Sequence, residues 1–305
     1  MITEEQRQAR KEWVGSSDVA AVVGVSPFAS AYDVWLEKTG KLAEEPPSND
    51  AMDAGNWMEP AILNFAESEL GELQRDPDTI RHASIPMASH VDAIALKTNE
   101  PVEAKNVDLM SPLFKSFGEP GTDQVAEYVI TQATAHMMCM QVTTQCHVPV
   151  CLGGRFAMFY VPWNPELGDF IGAAVVTFWD KHVKADIPPE NATPCLDLIK
   201  RVRRTTDIVA HVDPMLFERW SKARELRLAY EKAESAHQAE LLAAMRVGSE
   251  YAECADFGDD GLVLTYLSQK SAPSIDQAAM KRDGIFDKYA TQGTHRVLRA
   301  SKRKD

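Results

Sequence analysis

The chain has 305 residues, 45% hydrophobic and 25% charged, with no low-complexity tract or internal repeat, so it has room for one sizeable core plus an appendage, or for two domains. No window offers the roughly 18 uninterrupted apolar residues of a membrane span, and the charged opening MITEEQRQARKEW lacks the apolar stretch of a secretory signal, so a cytoplasmic protein is expected. A net charge of −13 is the wrong sign for a protein that coats nucleic acid over its whole surface, which leaves only a locally basic channel for that purpose.

In chain order, Ser16 and Ser17 read as N-caps of a short helix through DVAAVVG that Gly24 ends, and Ser30 caps a second helix, AYDVWLEKTG, closed by Gly40. EEPPSND reads as a linker. Residues 54–70 have helical apolar spacing, with Pro60 expected to kink the helix or mark its start. Strand-like runs follow near 79–87, 90–96 and 101–107. Residues 123–144 read as one long apolar helix, VCLGGRFAMFYVP as a strand, and LGDFIGAAVVTFWDKHVKADI as a helix that stops before Pro188-Pro189. The order helix, sheet, helix, strand, helix predicts a mixed α/β core over residues 1–206. After it, Pro214 opens a segment with charge on a helical period for about nine turns at 3.6 residues each. ADFGDDGLVLTYL then reads as a hairpin, SIDQAAMKRDGIFDKYA as a capped helix and HRVLRAS as a last strand, so 207–305 is expected to be a long helix with a small α+β module.

The five cysteines (Cys139, Cys146, Cys151, Cys195, Cys254) form no CxxC pair and are odd in number, which suits a reducing compartment and argues against zinc or an iron–sulfur cluster. Basic residues do cluster, as KRVRR at 200–204 and HRVLRASKRK at 295–304, each either a solvated face or a contact to a phosphate backbone.

The chemistry concentrates in VDAIALKTNEPVEAKN, Val91 to Asn106. Side chains alternate along a strand, so Glu103 and Lys105 share a face while Ala104 turns away, and the KTNE turn can bring Asp92 opposite them. Two carboxylates and an ammonium would then converge. They could be an ion pair on an exposed strand, or two hard oxygen ligands for Mg²⁺ with a lysine for the reacting phosphate or its water. Upstream, Glu59 lies in GNWME on the preceding helix; downstream, Gln132 and His136 lie one turn apart on one helix face. Taken singly, Glu59 is a surface residue and the other two are satisfied core groups.

Together, Glu59-(x32)-Asp92-(x10)-Glu103-x-Lys105-(x26)-Gln132, laid on helix, strand, strand and helix, resembles the PD-(D/E)xK nuclease core, and more closely the lambda-exonuclease and YqaJ-type phage recombinase family. GSSDVAAVVGVSPFASAYDVWLEKTG is similar to that family's N-terminal signature, GGRF and the later FW match its run, and the resemblance covers roughly residues 10 to 190. Val91 stands where a proline usually precedes the motif aspartate, and His136 matches a common position without an assigned role. The resemblance implies a restriction-endonuclease-like core, a mixed central sheet flanked by helices. It implies one or two Mg²⁺ ions, with Mn²⁺ substituting, held by Asp92, Glu103, the Ala104 carbonyl and Glu59. Lys105 would handle the attacking water and Gln132 would orient water or phosphate. Arg10 and Ser17, seven positions apart, would bind a terminal 5′-phosphate, as a guanidinium beside the hydroxyl and amides of a helix start can. Ser16, Lys115 and Met52 are further candidate DNA contacts. Met52 and Trp57 are candidates for wedging between terminal base pairs, although core burial is the expected place for Trp57.

The family also implies a homotrimeric ring that digests linear duplex DNA processively from 5′ to 3′, releasing 5′-mononucleotides and leaving 3′ tails for a single-strand annealing protein, in a phage- or prophage-encoded system. Rivals are an endonuclease of the same core and a catalytically silent DNA-binding module. A CRISPR-associated RecB-like nuclease would need cluster-binding cysteines that the sequence lacks.

Overall fold

The computed structural model describes residues 11–43, 50–205, 208–256, 263–268 and 274–290. The chain divides into two compact units, Met1–Arg204 and Thr205–Asp305.

The first unit opens with strand β1 (Val14–Gly15) and helices α1 (Ser16–Val22) and α2 (Ala31–Lys38). Ser16 and Ser17 are not caps. Gly15 holds the N-cap position, its amide donating to Asp18 Oδ2 at 3.1 Å, and the serines form the first two helical residues. The Ser30 cap is present: its hydroxyl accepts from the Asp33 amide at 3.3 Å, and Asp33 Oδ2 accepts from the Ser30 amide at 2.8 Å. Gly24 and Gly40 follow the two helices at φ +85 and +65, the left-handed conformation that glycine adopts at least cost.

Helix α3 (Asp50–Leu70) carries Pro60 in its interior, so the proline marks no helix start. Asn56, whose carbonyl loses the amide that Pro60 lacks, and Pro60 itself are both exposed, which keeps the missing bond on the solvent side. The EEPPSND linker falls largely outside the described residues.

The main sheet is mixed. Strands β2 (Leu73–Arg75), β5 (Ala93–Ala95) and β6 (Glu100–Val102) run antiparallel in sequence order; β6 and β7 (Lys105–Val107) both run parallel to β8 (Gln145–Leu152), and β9 (Arg155–Pro162) returns antiparallel. Val102 sits opposite His147 and Lys105 opposite Val150, so β6 and β7 keep one register and are two halves of a strand interrupted at Glu103-Ala104. The cause is legible on the neighbour. The Glu103 amide donates to the His147 carbonyl at 2.9 Å; the next rung of a parallel ladder would come from the amide of residue 149, which is Pro149 and has none.

β8 and β9 are a hairpin turned by Gly153-Gly154 at φ +57 and +83, where the sequence pattern predicts one strand. A second, three-stranded sheet joins β1, β4 (Met87–Ser89) and β3 (Ile80–Arg81).

Helix α4 (Glu127–Met140) covers one face of the main sheet, with Val129, Ala133 and Met137 packed on Val148, Val150 and Phe159. On the other face, Leu63 and Ala66 of α3 meet Ala93, Val102 and Met158. A third cluster sets α1, α2 and α5 (Pro165–Phe178) against the back of α4 through Val19, Leu36, Ala135, Cys139 and Val175. A π-helical turn, Trp179–Val183, and a short helix, α6 (Leu196–Ile199), complete the unit.

The second unit is led by α7 (Pro214–Ala244), 31 residues with Pro214 at its first position and the Asp213 side chain accepting from the Met215 amide at 2.9 Å. β10 (Arg246–Val247) pairs with β11 (Glu250–Tyr251), and β12 (Cys254–Asp256) with β13 (Val263–Thr265). The expected single C-terminal helix is two, α8 (Gln277–Arg282) and α9 (Phe286–Tyr289), separated around Gly284 at φ +68. The turn of the expected hairpin and the last strand, HRVLRAS, lie outside the described residues. Among those described, no helix is long and apolar enough to cross a membrane.

Candidate active site

The hairpin from β5 to β6 creates the site. Thr98 and Asn99 amides fold back on the Ala95 carbonyl at 3.2 and 2.8 Å, with Asn99 at φ +57. Ala93 therefore faces Val102, and Asp92, one residue earlier, stands opposite the strand break at Glu103-Ala104. There the Ala104 amide donates to Asp92 Oδ2 at 2.7 Å instead of to a strand.

Glu103 and Lys105 project together toward α4, Nζ to Oε1 at 2.5 Å. Gln132 bridges them, its Oε1 accepting from Lys105 at 2.9 Å and its Nε2 donating to Glu103 Oε1 at 2.6 Å. One turn further, His136 Nε2 lies 2.8 Å from Glu103 Oε2, and its Nδ1 lies 2.5 Å from the hydroxyl of Ser89 on β4. His136 and Ser89 are fully buried, so each needs the other. His136 is thus the positioning partner of Glu103, a role that the sequence alone leaves open. Ser89 escapes sequence reasoning entirely; its only signal is a hydroxyl in an apolar strand. Tyr128, one turn before Gln132, continues the polar stripe and packs its ring edge-on to Phe28 at 5.4 Å between centroids.

The charges differ in character. Burial would raise Glu103, but the Lys105 ammonium and His136 hold its carboxyl at about 2. Burial would lower Lys105, yet Glu103 and Asp92 hold it above the ordinary lysine value. Asp92 moves well above the usual carboxylate range because burial and the neighbouring Glu103 outweigh Lys105 and the Ala104 amide. Glu59, from α3, is raised by burial, then by Glu103 and Asp76, against His90. Burial raises the Tyr128 phenol, with Lys105 opposing and Glu103 adding.

Asp92 and Glu59, whose proton affinity the nearby Glu103 raises, form with it and beside a single lysine a donor set of hard oxygens, which suits Mg²⁺ or Mn²⁺. Among the described residues, no three His, Cys, Asp or Glu side chains form a ready-made cage. Glu103 in particular is drawn into the Lys105–Gln132–His136 network. Magnesium needs no such cage, since it keeps waters and takes one or two carboxylates plus substrate phosphate. The residues present fit that cation.

The other candidates are more dispersed. Ser16 is buried and Ser17 exposed at the start of α1, which packs on the same α4 that carries Gln132 and His136. Arg10 lies outside the described residues. Lys115 is exposed on a short helical turn, Pro112–Ser116. Met52 is 57% exposed on α3, and Trp57, expected in the core, is 79% exposed there.

Residues 6–147 match the model of the YqaJ-like viral recombinase domain. The uncharacterized protein YqaJ of Bacillus subtilis (strain 168) is 21% identical over 194 residues, 60% of this chain, and the chain spans 59% of that relative's length. Among solved structures, the alkaline exonuclease LHK-Exo from Laribacter hongkongensis is similar at 22% identity and TM-score 0.48, over 61% of this chain and 94% of that one. A phage related exonuclease from Haemophilus somnus 129PT is similar at 13% identity and TM-score 0.43, over 59% and 99%. The matched segment contains α1, Glu59, the Asp92–Lys105 hairpin and the Gln132–His136 face of α4. Residues 6–147, slightly less than half of the chain, are thus similar to the YqaJ-like viral recombinase domain.

Proposed function

We propose that this protein is a Mg²⁺-dependent deoxyribonuclease that digests linear duplex DNA processively from 5′ to 3′, releases 5′-mononucleotides and leaves 3′ single-stranded tails for an annealing partner. The observation that carries the reading is the convergence of Asp92, Glu103, Lys105 and Gln132 at an interrupted strand, with Glu59 close enough for its charge to bear on Asp92. The similarity of residues 6–147 to a viral recombinase domain supports DNA as the substrate class.

In this reading Asp92, Glu103, the Ala104 carbonyl and Glu59 hold the cation. When bound, it supplies an activated water and charge for the leaving oxygen. Lys105, kept protonated by Glu103 and Asp92, positions the attacking water or balances charge at the phosphate. Gln132 fixes Lys105 and Glu103 and offers its amide to water or phosphate. His136 and Ser89 keep Glu103 in one rotamer. Arg10 and Ser17 grip the 5′-phosphate, so each cut leaves the next end in register; Ser16 and Lys115 are further DNA contacts. The exposure of Met52 and Trp57 suits apolar groups that meet terminal base pairs better than core residues. A homotrimeric ring acting in the host cytoplasm would reconcile the net charge of −13 with DNA binding, because only the inner wall need be basic.

The test is digestion of a linear duplex labelled at either end, with and without Mg²⁺, on 5′-phosphorylated and 5′-hydroxyl ends, for wild type and Lys105→Ala. Expected is Mg²⁺-dependent mononucleotide release from the 5′ strand, faster on phosphorylated ends and lost in the variant. Internal cuts, or nicking of a closed circle at the same rate, would replace the reading with an endonuclease. Binding without cleavage would leave a silent DNA-binding module.

A further inference from the structure

Helix α7 has 31 residues and buries none of them, although Leu226 and Tyr230 are 46% and 73% exposed. With Ala233 they recur at spacings of four and three, which puts all three on one face. A soluble helix seldom leaves such a stripe to water without a partner for it.

The charges say which partner. Residues 214–229 hold four basic side chains (Arg219, Lys222, Arg224, Arg227) and two acidic ones (Glu218, Glu225). Residues 230–244 hold three acidic (Glu231, Glu234, Glu240) and one basic (Lys232). The helix is therefore positive toward its N-terminus and negative toward its C-terminus, the reverse of what its own macrodipole favours. Its last turn contains no basic residue and its first turn no acidic one, so the C-terminal pole lacks side-chain compensation and the N-terminal pole has only the Asp213 cap. An antiparallel copy corrects both faults, because it brings each basic half against an acidic half and each pole against its opposite.

We propose that α7 is a self-association surface that pairs antiparallel with α7 of a second copy of this chain. Centred near Glu231, the pair sets Leu226, Tyr230 and Ala233 at its middle and Lys222 of one helix against Glu240 of the other, twice by symmetry. A parallel pair would set Lys222 against Lys222 and Glu240 against Glu240. The charges thus select the antiparallel arrangement over its main competitor.

The inference is independent of the nuclease reading and is tested without DNA. Sedimentation velocity of the full-length protein across a concentration series would compare wild type with Lys222→Glu, Glu240→Lys, the double variant and Tyr230→Asp. Circular dichroism would show that each keeps its helix. Expected is association at least tenfold weaker for either single reversal, restored in the double variant, and abolished through this helix by Tyr230→Asp, leaving only the state that the first unit forms by itself. Single reversals that leave association unchanged, a double variant that fails to regain it, or an unaltered Tyr230→Asp protein would each overturn the proposal.

Discussion

Helices α4 and α7 use polar residues in opposite ways. α4 is short and enclosed, and the polar groups that it turns toward the main sheet are each tied to specific partners. Gln132 bridges Lys105 and Glu103, and His136 spans Glu103 and Ser89. α7 is twice as long and exposed, and its ion pairs, Lys222 with Glu225 at 3.0 Å and Arg227 with Glu231, join neighbours on the same helix. A buried polar side chain is informative one residue at a time, because leaving it unpaired is expensive. An exposed one is informative only through its order along the helix.

That contrast can be broken by substitution. The largest effect is expected at Lys105: Lys105→Ala should slow single-turnover cleavage by about 10²–10³-fold while duplex binding persists, the scale of losing one preorganised charge at a reacting oxygen. Next comes Lys38, whose side chain is wholly buried and whose Nζ lies 2.7 Å from Asp18. Lys38→Ala should cost about 3–5 kcal/mol in chemical denaturation, because it removes the buried counter-charge of Asp18, which holds the Gly15 amide at the start of α1. His136→Ala should cost about 2–3 kcal/mol by leaving Ser89 and one Glu103 oxygen without that ring, and should reduce cleavage as well. If Lys38→Ala lowers stability but spares catalysis per folded molecule while His136→Ala lowers both, the site and its scaffold are separable.

A smaller effect should follow pH. Glu100 and His147 are buried with Nε2 and Oε2 2.6 Å apart. Burial would raise Glu100, but Thr144, Thr98 and His147 bring it below the ordinary value; burial holds His147 below its own, despite Glu100. In both cases the folded form takes up protons less readily than the unfolded chain, so stability is present at neutral pH. His147 begins to lose its share below the ordinary histidine value of about 6.5, and Glu100 loses its share as pH falls through its lowered value. Asp92 and Glu59, raised in the folded state, act in the opposite sense, so the share of this pair is read by difference: between pH 7.5 and pH 5 wild type should lose more melting temperature, or gain less, than His147→Gln. At the bottom of the scale, Arg224→Ala on α7 should change monomer stability by less than about 0.5 kcal/mol.

What can be read in the sequence follows the same division. The period-two alternation around Glu103-x-Lys105 and the turn before it are local, and local pattern suffices to bring Asp92 opposite them. His136 is visible but mute, because its partner Glu103 is 33 residues away and an apolar helix offers no sign of which acid it will face. The Gly153-Gly154 turn reads as strand because apolar runs on both sides mask two glycines that are themselves the signal. Trp57 is expected inside because size and hydrophobicity usually predict burial, and Pro60 reads as a boundary because the exposed side that tolerates it depends on the tertiary fold. The Ser16-Ser17 cap misses by one position, since Gly15 takes the N-cap place and Asp18, in the first turn, reaches back to accept from the Gly15 amide.

Pro149 gives the site an unusual origin. It donates no bond, touches no substrate in the proposed mechanism and is itself buried, yet the absence of its amide hydrogen is what stops the two parallel strands from closing where Glu103 and Ala104 must turn out of the ladder. The vacancy comes before the chemistry. Anyone transplanting this acid–lysine pair onto another parallel sheet would have to delete a donor from the neighbouring strand first; installing the carboxylates alone would give them a backbone still committed to its ladder.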